Sequence, residues 1–127
     1  FPAGPPAEPA RLTAAPRRDD GPIPVEDWIA VTDGSSWDDK PRWLDKDSLI
    51  YYSNRDHYGC LWKQRLKPGI KQPAVFPVAV YHFHELKRSP RTLYRVDFEI
   101  AVTRSSVVLN LVEIFGDIWL KSLPLNR

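Results

Sequence analysis

His82 and His84 stand two residues apart in a stretch of apolar and aromatic side chains. Alternate residues of a strand share a face, so both imidazoles are expected on one side, a spacing that can chelate zinc or copper. Glu85 or His57 would then be the third ligand. No paired cysteine and no His-x-x-x-His motif accompanies them. The plainer reading is an outer strand with a polar face, and neither a metal nor another cofactor is expected. Asp33, Asp38, Asp39, Asp45 and Asp47 have the hard oxygen ligands that calcium prefers, but their spacing matches no calcium loop. Turn formation and capping account for Asp33, Asp45 and Asp47. Asp56, beside Arg55, is expected in an ion pair or a turn bond. Cys60 is the single cysteine, which excludes an internal disulfide and a cysteine-rich metal site, and no catalytic thiol is expected.

The serines offer no nucleophile. Ser35-Ser36 and Ser105-Ser106 lack a Gly-x-Ser-x-Gly setting, and no histidine has an evident serine partner. The chain is therefore read as non-catalytic. Contact chemistry is sought instead in a loop, at Asn54, Arg55, Asp56, His57 and Tyr58, with Trp37 as a neighbouring aromatic. Trp28, Trp37, Trp43, Trp62 and Trp119 read mainly as core, with Trp37 or Trp28 the ones placed to line a surface.

The elements that must hold these residues are strands. The 127 residues are 43% hydrophobic, which suffices for one domain with a core. No apolar run reaches the ~18 residues of a membrane span, so membrane insertion is not expected. Eighteen basic against 16 acidic residues leave a net charge of +2. Basic residues cluster only at Arg17-Arg18 and Lys87-Arg88, which does not point to nucleic acid. The chain begins at Phe1 and contains no methionine, and it is expected to be a piece of a longer protein.

Residues 1–26 are proline-rich and read as extended or irregular, with Ala10, Arg11, Leu12 and Thr13 the part able to pair. Strand signals run over 27–32 and stop at the turn chemistry of Asp33-Gly34-Ser35-Ser36. Further strands are expected over 41–44, 48–53 and 60–66, with a turn at 45–47 and a break at Lys67-Pro68-Gly69. An outer strand follows over 75–83. Strands are expected again over 93–102, 107–112 and 118–123. The apolar run of 107–112 should be covered on both faces. No helix-period stretch of useful length occurs.

These strands form a repeat at a spacing of about 57 residues. Trp43 falls on Ile100, Leu49 to Tyr52 on Ser106 to Leu109, Gly59 on Gly116, Leu61-Trp62 on Ile118-Trp119 and Leu66 on Leu123. Each copy reads as three strands and two turns. The stretch Lys40-Pro41-Arg42-Trp43-Leu44-Asp45-Lys46-Asp47-Ser48-Leu49-Ile50-Tyr51-Tyr52-Ser53-Asn54-Arg55-Asp56 resembles the repeat of TolB-like, WD40-like (PD40) β-propellers, P-x-W-S-P-D-G-K-x-I-x-F-x-S-D-R-D-G. Leu44-Asp45-Lys46-Asp47-Ser48 stands where that family has S-P-D-G-K.

The resemblance implies an all-β chain of antiparallel, four-stranded blades. About two blades of a partial propeller are expected over 27–127, with the blade repeats near 37–84 and 93–123. It also implies a larger bacterial protein in a periplasmic or extracytoplasmic setting, with the segment serving protein or ligand recognition. Exposed blade edges imply self-association into a homo-oligomer. A competing expectation is an accessory propeller that gates a peptidase-type hydrolase or serves as the sensor domain of a kinase.

Overall fold

The computed structural model describes residues 10–84, 88, 89 and 98–113. Those residues are all-β and antiparallel, apart from one short 3-10 turn, Val25–Asp27. The central element is a four-stranded meander of β3 (Asp38–Asp45), β4 (Ser48–Ser53), β5 (Cys60–Arg65) and β6 (Val78–His82), in that spatial order. β1 (Thr13–Ala14) pairs with β2 (Ile29–Ala30), and β8 (Ile100–Val102) pairs with β9 (Val107–Leu109). β7 (Arg88–Ser89) pairs with β10 (Val112–Glu113).

β4 is buried on both faces because both its alternating sets are large and apolar. Leu49 and Tyr51 on one face join Val31 and Leu66, with Leu12, Ala14 and Trp62 packed around them. Ile50 on the other face joins Leu61, Phe83, Phe98 and Ile100. Each such buried side chain contributes about 1.5–3 kcal/mol. The meander is thus covered on one side by the β1–β2 ribbon and on the other by the β8–β9 hairpin. Residues 10–13, singled out for pairing within the proline-rich segment, make that cover together with Ala14. The Leu12 carbonyl accepts from the Val31 and Thr32 N–H groups, and the Ala10 carbonyl accepts from Asp38.

Turn chemistry sets the register. Asp45 Oδ1 accepts the Asp47 N–H at 2.8 Å and Oδ2 accepts the Ser48 hydroxyl at 2.6 Å, closing the β3–β4 hairpin. These bonds, the Ser48 hydroxyl first, hold the Asp45 carboxyl below its ordinary 3.8. Asp33 does the same for Ser35, and Asp47 pairs with Lys71 at 2.6 Å. Asp33 and Asp45 have the turn-forming roles read from the sequence, whereas the Asp47 carboxylate makes an ion pair with Lys71 instead. The β8–β9 turn is built on Thr103, whose hydroxyl accepts the Ser105 and Ser106 N–H groups.

Several expectations need correction. The strand read over 27–32 is only Ile29–Ala30, since Val25–Asp27 turns first, with the Asp27 N–H bonded to the Pro24 carbonyl. The outer strand begins at Val78 and not at Val75, because Pro77 has no N–H to give a ladder. β3 carries a bulge between Asp39 and Arg42, where Lys40 takes a positive φ of 53°. The bulge re-phases the strand, turning Arg42 and Leu44 inward and leaving Trp43 55% exposed, outside the core expected for it. Trp28 is also exposed.

The strand read over 107–112 is interrupted. Asn110 Oδ1 accepts the Glu99 N–H at 2.8 Å in place of a ladder bond, and the chain resumes as β10 against β7. Val108 is 60% exposed, so this strand is covered on one face and not on both. Among the described residues the second copy is the β8–β9 hairpin, two of the three strands read for it. The stretches 93–97 and 114–123, with Trp119, lie outside the described residues.

The hairpin is tied to the meander by polar contacts at the bulge. Arg42 Nε donates to the Ile100 carbonyl at 2.8 Å, and its Nη2 pairs with Glu99 Oε2 at 3.0 Å. Lys40 Nζ pairs with Glu99 Oε1 at 3.0 Å. The Lys40 contact is the main reason the Glu99 carboxyl lies below its ordinary value.

Candidate functional site

The β4–β5 loop leaves the sheet at Ser53 and returns at Cys60, and its residues divide into two groups. Asn54 is a brace: its Oδ1 accepts the Trp37 N–H at 2.8 Å, and its N–H donates to the Trp37 carbonyl. Arg55 folds inward over the sheet instead of reaching out. Its backbone N–H and Nε both donate to Ser53 Oγ, and Nη2 lies 3.5 Å from Asp38 Oδ1, a fully buried carboxylate. The guanidinium stands 5.5 Å from the Tyr51 ring centre and 5.1 Å from that of Trp62. Burial pushes the Tyr51 phenol up to about 12, an effect the Arg55 charge partly offsets.

The second group gathers around Asp56. Its Oδ1 accepts the Tyr58 N–H at 3.3 Å, which is the turn bond expected of it, while the Arg55 charge goes to Asp38. Asp56 Oδ2 lies 3.2 Å from His82 Nδ1, 3.2 Å from His84 Nε2 and 3.5 Å from Cys60 Sγ. The two imidazole nitrogens are themselves 3.2 Å apart. Tyr58 stacks on His84 with ring centres 4.3 Å apart, and the Trp62 ring meets His82 edge-on. Burial raises the Asp56 carboxyl, but hydrogen bonds led by His84, the Tyr58 N–H and Cys60 outweigh it and leave the group below its ordinary 3.8. Burial pushes the Cys60 thiol up to about 11.

His82 and His84 do share a face, with Phe83 between them buried on the other. The companions expected for them were different. His57, exposed at a positive φ of 70°, is not among the clustered groups, and Glu85 lies outside the described residues. Asp56 and Cys60 take those places. Cys60 is the cross-strand partner of His82, so the β5–β6 register brings thiol and imidazole together. The signal was present in the sequence only as strand membership. The register depends on residues 67–77, where the Gln64 amide donates to the Val75 carbonyl and the Ala74 N–H to the Arg65 carbonyl.

On the Arg55 side a cleft of about 390 Å³ opens between Val31, Thr32 and Asp33 on one wall and residues 73–77 on the other, with Arg55 and Gln64 also lining it. Phe76, at its rim, is 92% exposed. The sequence placed 75–77 in the outer strand and gave residues 73–77 no site role.

Compared with known proteins, the chain matches no family model, no curated protein and no solved structure.

Proposed function

We propose that this chain is a non-catalytic, propeller-type recognition segment that binds a protein or peptide in the cleft beside the β4–β5 loop. The observation that carries this reading is the cleft itself, where Val75, Phe76 and Pro77 face Val31 and Thr32 while Asp33 and Arg55 supply charge of both signs. Such a surface suits an extended peptide with an apolar anchor flanked by polar groups. Phe76, almost fully exposed beside this concave surface, offers the aromatic area that a partner would bury. The propeller part of the reading is supported by the meander order of the four strands and by the covering of its two faces by separate β pairs.

A phage-displayed random peptide library selected on the full chain tests it. The expected outcome is enrichment of peptides that share an apolar residue and bind Phe76→Ser at least about tenfold more weakly. Enriched peptides that bind Phe76→Ser as well as the parent, or no enrichment over an unrelated protein, would reject the cleft.

The sheet edge favours self-association as a second reading. β6 is the outer strand of the meander and exposes Val78, Val80 and Tyr81. Such an edge can pair with a second copy. Light scattering over a range of concentrations should show a mass above that of the monomer, lowered by Val80→Lys.

A further inference from the structure

The cluster at Asp56 is overfilled as a hydrogen-bonded network. A single carboxylate oxygen, Asp56 Oδ2, is approached by His82 Nδ1, His84 Nε2 and Cys60 Sγ, all at 3.2–3.5 Å. One such oxygen offers about two lone-pair directions, so three donors exceed what it accepts well. The two imidazole nitrogens also face each other at 3.2 Å, which as a hydrogen bond requires one of them to be a bare acceptor. A cation at the centre resolves both conflicts, since every group then turns a lone pair inward.

Four of the six donor–donor separations fit that cation. A tetrahedral zinc ion, with bonds of about 2.0–2.1 Å to nitrogen or oxygen and about 2.3 Å to sulfur, sets its donors about 3.3–3.5 Å apart. The nitrogen–oxygen and nitrogen–nitrogen contacts here are 3.2 Å, the sulfur–oxygen contact is 3.5 Å, and all the donor atoms lie within 4.8 Å of one another. We propose that Asp56, Cys60, His82 and His84 form a zinc site that pins the β4–β5 loop to the outer strand. The inference stands independently of the cleft.

Chemistry and surroundings agree with zinc. One thiolate, one carboxylate and two neutral imidazoles balance a divalent ion, and the Cys60 thiol proton leaves to solvent as the Zn–S bond forms. Cys60 is buried, whereas the His82 and His84 side chains are about half exposed, which gives the ion a path in. With four protein donors the tetrahedron is closed, which is the form of a structural site.

The test uses the full chain, reduced and stripped with a chelator, and cobalt(II) chloride as the probe. The expected result is a thiolate-to-cobalt charge-transfer band together with intense visible bands of tetrahedral cobalt, saturating at one equivalent and bleached by one equivalent of zinc. Cys60→Ser should remove the charge-transfer band. His84→Asn, at a half-exposed position, should weaken cobalt affinity by at least about 10–100-fold. Urea midpoints of the metal-free proteins identify any variant that has lost its fold, and His84→Asn carries the test if Cys60→Ser has. Absence of the charge-transfer band at stoichiometric cobalt, weak octahedral bands alone, or undiminished affinity in folded His84→Asn would each overturn the site.

Discussion

Gly59 is where the β4–β5 loop rejoins the sheet, and its lack of a side chain has a measurable value. A Cβ placed there would lie 1.6 Å from Tyr52 Oη, 2.3 Å from Cζ and 2.7 Å from Cε2. Gly59 does not have a positive φ, so its backbone would otherwise accept alanine. In Gly59→Ala the Tyr52 ring must therefore swing away, and it leaves Phe98, whose ring centre is 5.2 Å distant at the junction with the β8–β9 hairpin. Overpacking of this kind costs about 1–3 kcal/mol, and with m near 1–2 kcal/mol/M the urea midpoint should fall by about 0.5–3 M. The decisive comparison is made in a Tyr52→Ala background, where the obstacle is gone. There the alanine only restricts the unfolded chain, and Gly59→Ala should become neutral or stabilising by about 0.4–1 kcal/mol. A loss of stability of equal size in both backgrounds would refute the steric account, as would a wild-type midpoint for Gly59→Ala alone.

Arg42→Ala removes the donor to the Ile100 carbonyl and should cost about 1 kcal/mol in urea unfolding, with faster amide exchange in residues 98–102 than in β4. Tyr51 stays neutral in the folded state up to about pH 12 but ionises near 10 once unfolded, so its contribution is complete below pH 10 and is lost as pH rises toward 12. On the order of 2–3 kcal/mol is at stake, and Tyr51→Phe should abolish that part of the alkaline decline in urea stability. Asp45 has the opposite sign: its lowered carboxyl supports the fold above about 3.8, and this support fades as pH falls through the lower folded value. Asp45→Asn should therefore flatten the acid limb of a stability-against-pH curve.

The strands of the meander were legible wherever one physical signal sufficed. Ser48 to Ser53 carries Ile50, Tyr51 and Tyr52, Cys60 to Arg65 opens on the apolar Cys60-Leu61-Trp62, and Asp45 and Asp47 announce the tight hairpin that leads into Ser48. Trp43 was misread because one extra residue in β3 inverts every later side chain, and nothing in the composition around Lys40-Pro41 fixes where the alternation slips. The histidine pair was legible from its spacing, since alternation along a strand is local. Its companions were not. Cys60 meets His82 through the β5–β6 register, and that register is set by hydrogen bonds of Gln64 and Ala74 across an irregular connection. The inward fold of Arg55 was equally hidden, because its anchor, Asp38, is 17 residues away in sequence.

The double covering of β4 bears on how the chain acquires its structure. β3, β4 and β5 are joined by short turns and can assemble from local contacts, whereas their two covers come from residues 10–31 and 98–109, at opposite ends of the chain. Non-local covers of this kind close slowly. Until both have docked, the run Leu49-Ile50-Tyr51-Tyr52, uncharged and free of proline, is an exposed template for intermolecular strand pairing. During synthesis the N-terminal cover is made before the strand it protects, so only the Ile50 and Tyr52 side waits for residues still to come.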